Sequence, residues 1–335
     1  MPTHLSFTFY YQIMQLLLKY KSTLLAIAML FTITSAMAQT DQDAIMMNKN
    51  LFCTGLMYGT SSWNKYWEGT NNRENLNLGT ISSNSLSVMG NYGVKDNLNI
   101  LFNAPYISNK ASAGVLHATS GIQDVSAWVK WMPIEKDLKH GTFSMYLLAG
   151  ASTPLTDYIV DYLPMAIGNK SNTLSGRIML DYQLNKFFAT ASETYTIRGN
   201  TSIERNAYFT TKMFLTNQVA LPAVNTLNFR TGYRSDWLIA EAVLTQSKTL
   251  GGFDITKNNM PFPSNEMNAT SLGVNFKYEI PKVAGLSLVG GGNQVIEGRN
   301  VGQSTGYYGG FFYILDFTKK NKKKSESKTT STQNK

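Results

Sequence analysis

The segment that most constrains the fold is residues 304–317, which read STGYYGGFFYILDF. A two-residue period places an apolar, aromatic-rich set on one face: Tyr307, Gly309, Phe311, Tyr313, Leu315 and Phe317. The opposite face also carries aromatic residues, so neither face is typical of a sheet that meets water. This pattern, ending at an aromatic residue before a lysine-rich tail, predicts the last strand of a membrane barrel. Because a bilayer tolerates no open sheet edge, the earlier segments must pair in sequence until the last strand meets the first.

The N-terminus indicates an exported protein. Lys19 and Lys21 precede an apolar run over residues 24–31, and Ala36-Met37-Ala38 follows as a small-residue cleavage pattern. This arrangement predicts a cleaved signal peptide over residues 1–38, with either Met1 or Met14 as the true start. A membrane anchor is the weaker alternative, because the apolar run is shorter than the ~20 residues of a spanning helix.

Charge and cysteine content exclude several function classes. The formal net charge is +9, but most of it comes from the leader and from the lysine-rich residues 319–335. The body is therefore close to neutral, which argues against a nucleic-acid partner. The single cysteine, Cys53, excludes an internal disulfide framework and a thiolate metal site. No phosphate loop, zinc spacing or calcium loop is present, so we predict neither a cofactor nor a metal.

The remaining chain contains extended segments of about ten residues, the length that crosses a bilayer as a strand. Long and short connections alternate between them, which is typical of barrels with long external loops and short periplasmic turns. We therefore predict an all-β fold, a transmembrane antiparallel up-and-down β-barrel over residues 51–317 with both termini in the periplasm. The twelve predicted strands are 51–60, 84–94, 97–107, 121–132, 142–152, 172–183, 186–197, 206–216, 225–249, 268–280, 286–297 and 304–317.

The segments flanking the barrel are less defined. Residues 39–50 are either a loose lead-in or a luminal segment, and residues 44–47 within them either plug the lumen or are disordered. Residues 318–335 are predicted to be a flexible periplasmic tail, whose lysines suit anionic lipid headgroups.

Strand parity decides how residues 225–249 are interpreted. Their alternation is unbroken across Ser235, so we predict one long strand that projects beyond the lipid, which keeps the strand count even. Two acids do not fit the apolar faces to which the alternation assigns them. We expect a bulge or register shift at Glu193, and we expect Glu241 to lie beyond the bilayer.

Several runs resemble a known barrel family. They are residues 90–100 (GNYGVKDNLNI) leading to Ala104-Pro105-Tyr106, then Gly121-Ile122-Gln123-Asp124-Val125, and Gly150-Ala151-Ser152-Thr153-Pro154-Leu155. Over about residues 86–317 the chain resembles the MetA-pathway of phenol degradation family, which is grouped with outer-membrane transporters of the long-chain fatty-acid type. The resemblance implies passage of small, often aromatic or hydrophobic compounds. It implies no specific binding residues.

Ionisable residues on the faces opposite the apolar stripes are the candidate functional residues. In an open barrel they would line an aqueous pore and set its selectivity, whereas in a closed barrel they would pair across the interior. Both alternatives stay open. The lumen and selectivity candidates are Lys130, Arg177, Asp181, Lys212, Arg230, Arg234, Lys277 and Glu279, and Asp124 and Asp236 share these faces.

The external segment 251–263 is a second candidate region. Phe253, Met260 and Phe262 would form either a lid at a hydrophobic entry site or a rigid packed loop. Neither His117 nor His140 lies on a strand beside a serine, so no enzyme activity is predicted.

The sequence thus predicts an outer-membrane channel or passive transporter whose partners are outer-membrane lipid and a small-molecule solute. A structural or adhesive barrel with a closed lumen, binding a partner through its loops, is the alternative. Neither the solute nor the oligomeric state follows from the sequence.

Overall fold

The computed structural model describes residues 40–256 and 259–318. The predicted signal peptide and residues 319–335 of the tail lie outside the described residues. The described chain is an all-β barrel of twelve antiparallel strands. They are β1 (Leu51–Trp63), β2 (Ile81–Lys95), β3 (Leu98–Ala111), β4 (Val125–Leu138), β5 (Gly141–Thr153), β6 (Thr173–Leu184), β7 (Phe187–Arg198), β8 (Val224–Arg234), β9 (Leu238–Thr249), β10 (Asn268–Glu279), β11 (Leu286–Arg299) and β12 (Thr305–Asp316).

The last strand closes the barrel against the first. β12 pairs antiparallel with β1 from Leu51↔Asp316 to Ser62↔Thr305, and β1 pairs on its other side with β2. The aromatic segment at residues 304–317 is thus the closing strand, as predicted. Closure leaves no edge strand, so the backbone groups of β1 and β12 pair with each other and not with water.

The two ends of the barrel differ in the length of their connections. At one end consecutive strands are joined by turns of two to six residues, as at 96–97 and 280–285. The other end carries longer loops, including 64–80, 154–172, 199–223 and 250–267. Short turns are typical of the periplasmic side, which we therefore assign to the end where β1 begins and β12 ends.

The outer face carries an apolar band, since alternate residues of each strand point outward. Aromatic residues border this band near both ends, as lipid-headgroup girdles do. Exposed members are Tyr58, Tyr106, Tyr195 and Tyr307 toward the long loops, and Tyr92, Tyr182, Phe187, Trp237 and Tyr278 toward the short turns. In residues 40–256 and 259–318, no helix combines the length and the apolar character needed to cross a membrane.

Two strand predictions were wrong, and their errors cancel in the count. Residues 225–249 form two strands, β8 and β9, joined by a tight turn in which Ser235 N–H donates to the Leu238 carbonyl oxygen at 2.8 Å. Residues 206–216 are not a barrel strand. They lie in the 199–223 loop, where Tyr208–Phe209 pairs with Met213–Phe214 as a small hairpin. The barrel therefore still has twelve strands.

The alternation across 225–249 was misleading because the three-residue turn shifts the inward face by one position. Arg234 pairs with Ile239, so both point inward, whereas an unbroken strand would send them to opposite faces. Glu241 consequently faces the lumen instead of lying beyond the bilayer on the apolar face.

The bulge expected at Glu193 is also absent. The ladders from β7 to both neighbours run through Glu193 without a register shift, and the side chain points outward. Its Oε1 accepts a hydrogen bond from Asn225 Nδ2 at 2.7 Å. Glu193 thus stays in a regular strand and has a hydrogen-bond partner on the adjacent strand, β8.

The interior is packed at two levels. Toward the short turns, Ala44 lies in a buried cluster with Tyr146, Leu148 and Met179 of the wall, and Met47 lies in a second cluster with Cys53 and Phe312. Above the barrel, the long loops share a cluster of their own, built from Val160, Ile203, Tyr208, Val219 and Leu221. Residues 40–47 thus pack against the inner wall, residues 48 and 49 are exposed at the short-turn end, and the loops form a packed external layer.

Candidate functional site

Two basic residues on alternate strands define the first part of the luminal site. Lys130 of β4 pairs with Leu148 of β5, which pairs with Arg177 of β6, so the three side chains form one inward-facing row. Neighbouring strands are about 4.8 Å apart, which places the Lys130 and Arg177 positions about 10 Å apart on the wall. Both are buried, and the Lys130 side chain is 0% exposed.

Lys130 is enclosed by the N-terminal segment. Its Nζ donates to the carbonyl oxygens of Asp43 at 2.5 Å and Ile45 at 2.8 Å, and to that of Thr40 at 3.2 Å. Nζ also forms an ion pair with Asp43 Oδ1 at 3.1 Å. A buried ammonium requires such acceptors, because its charge is otherwise uncompensated.

Arg177 binds the same N-terminal segment two residues earlier in the chain, at Asp41. Its Nη1 donates to the carbonyl oxygen of Asp41 at 2.5 Å and to Asp41 Oδ2 at 3.2 Å. Its Nε donates to Thr194 Oγ1 at 2.6 Å, and its guanidinium lies 4.8 Å from the Trp128 ring centroid. Two wall residues, Thr194 and Trp128, thus fix the guanidinium that binds Asp41.

A neutral hydrogen bond completes this contact. The Tyr146 hydroxyl donates to the Ala44 carbonyl oxygen at 2.9 Å. The segment is therefore bound to the wall at Asp41, Asp43, Ala44 and Ile45. Of the two alternatives left open by the sequence, these contacts favour a luminal segment over a loose lead-in.

A second cluster lies on the opposite wall. Arg230 Nη1 pairs with Glu241 Oε1 at 2.7 Å, and Asn275 Nδ2 donates to the same Oε1 at 2.7 Å. The Tyr308 hydroxyl donates to Asn275 Oδ1 at 2.6 Å. This last bond passes over β11 at Gly291, where a Cβ atom would lie 2.7 Å from the Tyr308 hydroxyl oxygen. A side chain at position 291 would therefore crowd both partners of this bond and the Val274 carbonyl oxygen.

A second ion pair within the wall joins Arg234 to Asp181, with Nη1 3.1 Å from Oδ2. Gln183 Oε1 accepts from the same nitrogen at 3.0 Å, and Thr190 donates to Asp181. The guanidinium carbon is 4.0 Å from the centroid of the Phe188 ring. Lys277 and Glu279 form a third wall pair at 3.0 Å.

Seven of the eight luminal candidates therefore face the interior, and the exception is Lys212. It is exposed in the 199–223 loop, with its Nζ 5.2 Å from the Phe214 ring centroid. Its placement in the lumen depended on the incorrect strand at 206–216. Sequence reasoning also missed Asp41, Asp43 and Glu241 as site residues. The sequence pattern that could have identified the first two was a pair of acids at alternate positions, Asp41 and Asp43, in the segment that precedes the first strand.

A cavity of about 250 Å³ lies between the N-terminal segment and the wall. Its polar lining includes both carboxylates of the segment, together with Arg230, Arg234, Glu241, Asn275 and Lys277. Its apolar lining includes Met57, Met89, Ile239, Val289 and Phe312. The cavity thus has charged and apolar surfaces side by side, which suits an amphipathic small molecule.

The three lid candidates lie in the packed external layer. Phe262 contacts Tyr208 with ring centroids 5.3 Å apart and Phe253 at 6.4 Å, whereas Met260 is 44% exposed. The two phenylalanines therefore join the 250–267 loop to the 199–223 loop. These contacts favour the rigid packed loop among the two interpretations left open by the sequence.

Polar contacts also join the 250–267 loop to residues 299 and 300 at the end of β11. Asp254 Oδ1 and Oδ2 accept from Arg299 Nε and Nη2, both at 2.8 Å, and Asn300 Nδ2 donates to Asp254 Oδ1 at 2.7 Å. The hydrogen bond from Arg299 holds the pKa of Asp254 below its usual value. At another loop, burial raises the pKa of Asp124, which accepts from the Tyr158 hydroxyl at 2.6 Å.

Within the described parts of the chain, no cluster of three or more histidine, cysteine or acidic residues is placed to hold a metal ion. His117 and His140 lie in connections between strands, at 112–124 and 139–140.

Comparison with solved structures finds barrels of similar fold. The chain is similar to the COG4313 outer membrane channel from Pseudomonas putida F1, with a TM-score of 0.65 and 13% identity over 83% of this chain and 100% of that one. More distant barrels include the translocator domain of the autotransporter NalP from Neisseria meningitidis, with a TM-score of 0.43 and 10% identity over 82% and 90% of the two chains. Another is OccK10 (OpdN) from Pseudomonas aeruginosa, with a TM-score of 0.33 and 9% identity over 79% of this chain and 99% of that one.

At these identities the likeness shows the fold alone, an outer-membrane β-barrel. No family model matches the chain, and no curated protein matches it either.

Proposed function

We propose that this protein is an outer-membrane channel or passive transporter for small molecules, and that it belongs to the MetA-pathway of phenol degradation family that its sequence resembles. The proposed solutes are hydrophobic or aromatic compounds. Support comes from the fold shared with a protein described as an outer membrane channel. The turn-and-strand motifs of the sequence support the family assignment.

The luminal cavity is the observation that carries this proposal. It lies inside a closed barrel, and its lining combines Met57, Met89 and Phe312 with the charged groups of the wall. A solute that crosses the barrel would meet this cavity together with the N-terminal segment. Because that segment is held by Lys130 and Arg177, we propose that permeation requires its displacement.

Planar bilayers test the proposal with two chains, the complete mature protein and a variant lacking residues 40–47. We expect a low conductance for the complete protein and a clearly larger one for the deletion variant. Heat-modifiable migration on a gel verifies that both barrels are folded. Solute flux into liposomes is measured in parallel. Absence of both conductance and flux from both folded chains would contradict the channel function.

A structural or adhesive barrel is the second candidate function, and the external layer supports it. The small hairpin in the 199–223 loop presents Phe209, Met213 and Leu215 to solvent, with Leu215 85% exposed. Exposed apolar residues on a packed loop layer suit a protein partner. If the folded deletion variant transports nothing, this second function becomes the better proposal.

A further inference from the structure

The ten charged groups of the luminal network divide between the wall and the N-terminal segment. Three wall acids are paired with wall bases: Asp181 with Arg234, Glu241 with Arg230, and Glu279 with Lys277. The other two wall bases, Lys130 and Arg177, are paired with Asp43 and Asp41 of the segment. In the described chain, no wall carboxylate forms an ion pair with either of these two bases.

Displacement of the segment therefore changes the charge of the lumen. Residues 40–47 contain two acids and no base, so their departure removes two negative charges and leaves the wall with two uncompensated positive charges. Since a buried cation without a counter-charge is unfavourable, Lys130 and Arg177 would then recruit water or another anion.

The geometry suits the carboxylate of a small organic acid. The Arg177 guanidinium is already oriented by Thr194 and by the Trp128 ring, so it is preorganised for a new acceptor. The adjoining cavity is lined by Asp41 and Asp43 on one side and by Met57, Met89 and Phe312 on the other. An acid whose headgroup replaces either aspartate would place its apolar body against these residues.

We propose that Lys130 and Arg177 form a luminal site for organic acids with an apolar body, and that Asp43 and Asp41 occupy this site until a solute displaces them. This inference rests on the proposed channel function, and it adds the solute class. The N-terminal segment is then a competitor for the same site.

Equilibrium dialysis of labelled benzoate, with the barrel in an uncharged detergent, tests binding without relying on current. Benzyl alcohol is the matched probe, because it has the same ring without the carboxylate. Replacing both acids by amides, Asp41→Asn with Asp43→Asn, should tighten benzoate binding about tenfold, as expected when a charge-assisted contact no longer has an internal competitor. The binding of benzyl alcohol should change little.

Two further variants make the result specific. Adding Lys130→Met and Arg177→Met to the amide variant should abolish the gain for benzoate. Asp137→Asn lies on the same strand as Lys130, but its exposed carboxylate accepts from Thr142 outside the network, so benzoate binding should equal that of the unmodified protein. Should the amide variant fail to fold, the chain lacking residues 40–47 replaces it.

Equal binding of benzoate and benzyl alcohol by the amide variant would overturn the proposal, as would benzoate binding that survives loss of Lys130 and Arg177. In planar bilayers, the amide variant should also shift its reversal potential toward chloride selectivity. Variants that conduct but do not discriminate benzoate contradict this inference alone, whereas benzoate binding without any conductance or flux contradicts the channel function alone.

Discussion

Arg230 and Glu241 form an ion pair inside the barrel, with 2.7 Å between Nη1 and Oε1, across a hairpin that the alternation of the sequence does not reveal. Their side chains are 10% and 9% exposed, so both charges are largely removed from water. Arg230 Nε also donates to Asn228 Oδ1 at 2.9 Å, and Asn275 Nδ2 donates to Glu241 Oε1 at 2.7 Å. The pair therefore connects three strands, β8, β9 and β10.

Breaking this pair from one side should destabilise the barrel. Glu241→Gln leaves Arg230 as a buried charge without a counter-ion, and we expect a loss of about 3–5 kcal/mol in unfolding free energy. Denaturant unfolding in micelles measures the effect. In the double variant that adds Arg230→Met, the loss should be smaller than the sum of the two single losses. Additive losses would contradict a direct interaction.

The hydrogen bond from Tyr308 to Asn275 should depend on the absence of a side chain at Gly291. A Cβ atom there would lie 2.5 Å from the Val274 carbonyl oxygen and 2.7 Å from the Tyr308 hydroxyl oxygen. We expect Gly291→Ala to cost about 1–3 kcal/mol of stability. Gly176→Ala is the matched control, because nothing lies within 4 Å of its added Cβ. Equal stability of the two variants would show that a methyl group at position 291 fits beside the Tyr308–Asn275 hydrogen bond.

Glu193 offers a test of the lipid-facing surface. The carboxylate points outward on β7 and accepts from Asn225 Nδ2 at 2.7 Å. Glu193→Gln keeps an acceptor for this bond and removes the charge, so stability in lipid should rise by on the order of 1 kcal/mol. Thermal unfolding in liposomes measures the change. Unchanged or reduced stability would indicate that the Glu193 charge lies in water or is fully compensated by its hydrogen bond from Asn225.

Protonation of Asp254 in acid should loosen the external loops. Because Arg299 lowers its pKa, the contribution of Asp254 to loop order is fully present above the unfolded pKa, about 3.9, and is lost as pH falls through the lower folded value. Proteolysis of the 250–267 loop by an acid-active protease should therefore accelerate below about pH 4. Just above pH 4, where the carboxylate of the unmodified protein is ionised, Asp254→Asn should be cleaved faster by the same protease, and it should show a weaker pH dependence. A variant with the pH profile of the unmodified protein would exclude Asp254 as the cause.

Strand-level features followed from the sequence because the bilayer imposes a simple rule. Alternation correctly placed Val129 outward and Lys130 inward on β4, and it identified the closing strand. The rule failed at the β8–β9 turn, since a three-residue connection can continue an apparent alternation while changing the inward face. It also failed at 206–216, where a loop hairpin with its own apolar cluster imitates a strand.

The sequence by itself determined a closed barrel of transmembrane strands, because each strand must bury its backbone in the ladder and present apolar residues to lipid. Only the tertiary structure decided which charges meet. Asp41 reaches Arg177 across 136 residues, and Asp43 reaches Lys130 across 87. No local period encodes such pairs. They arise because closure of the barrel brings the wall strands around the segment that precedes the first strand.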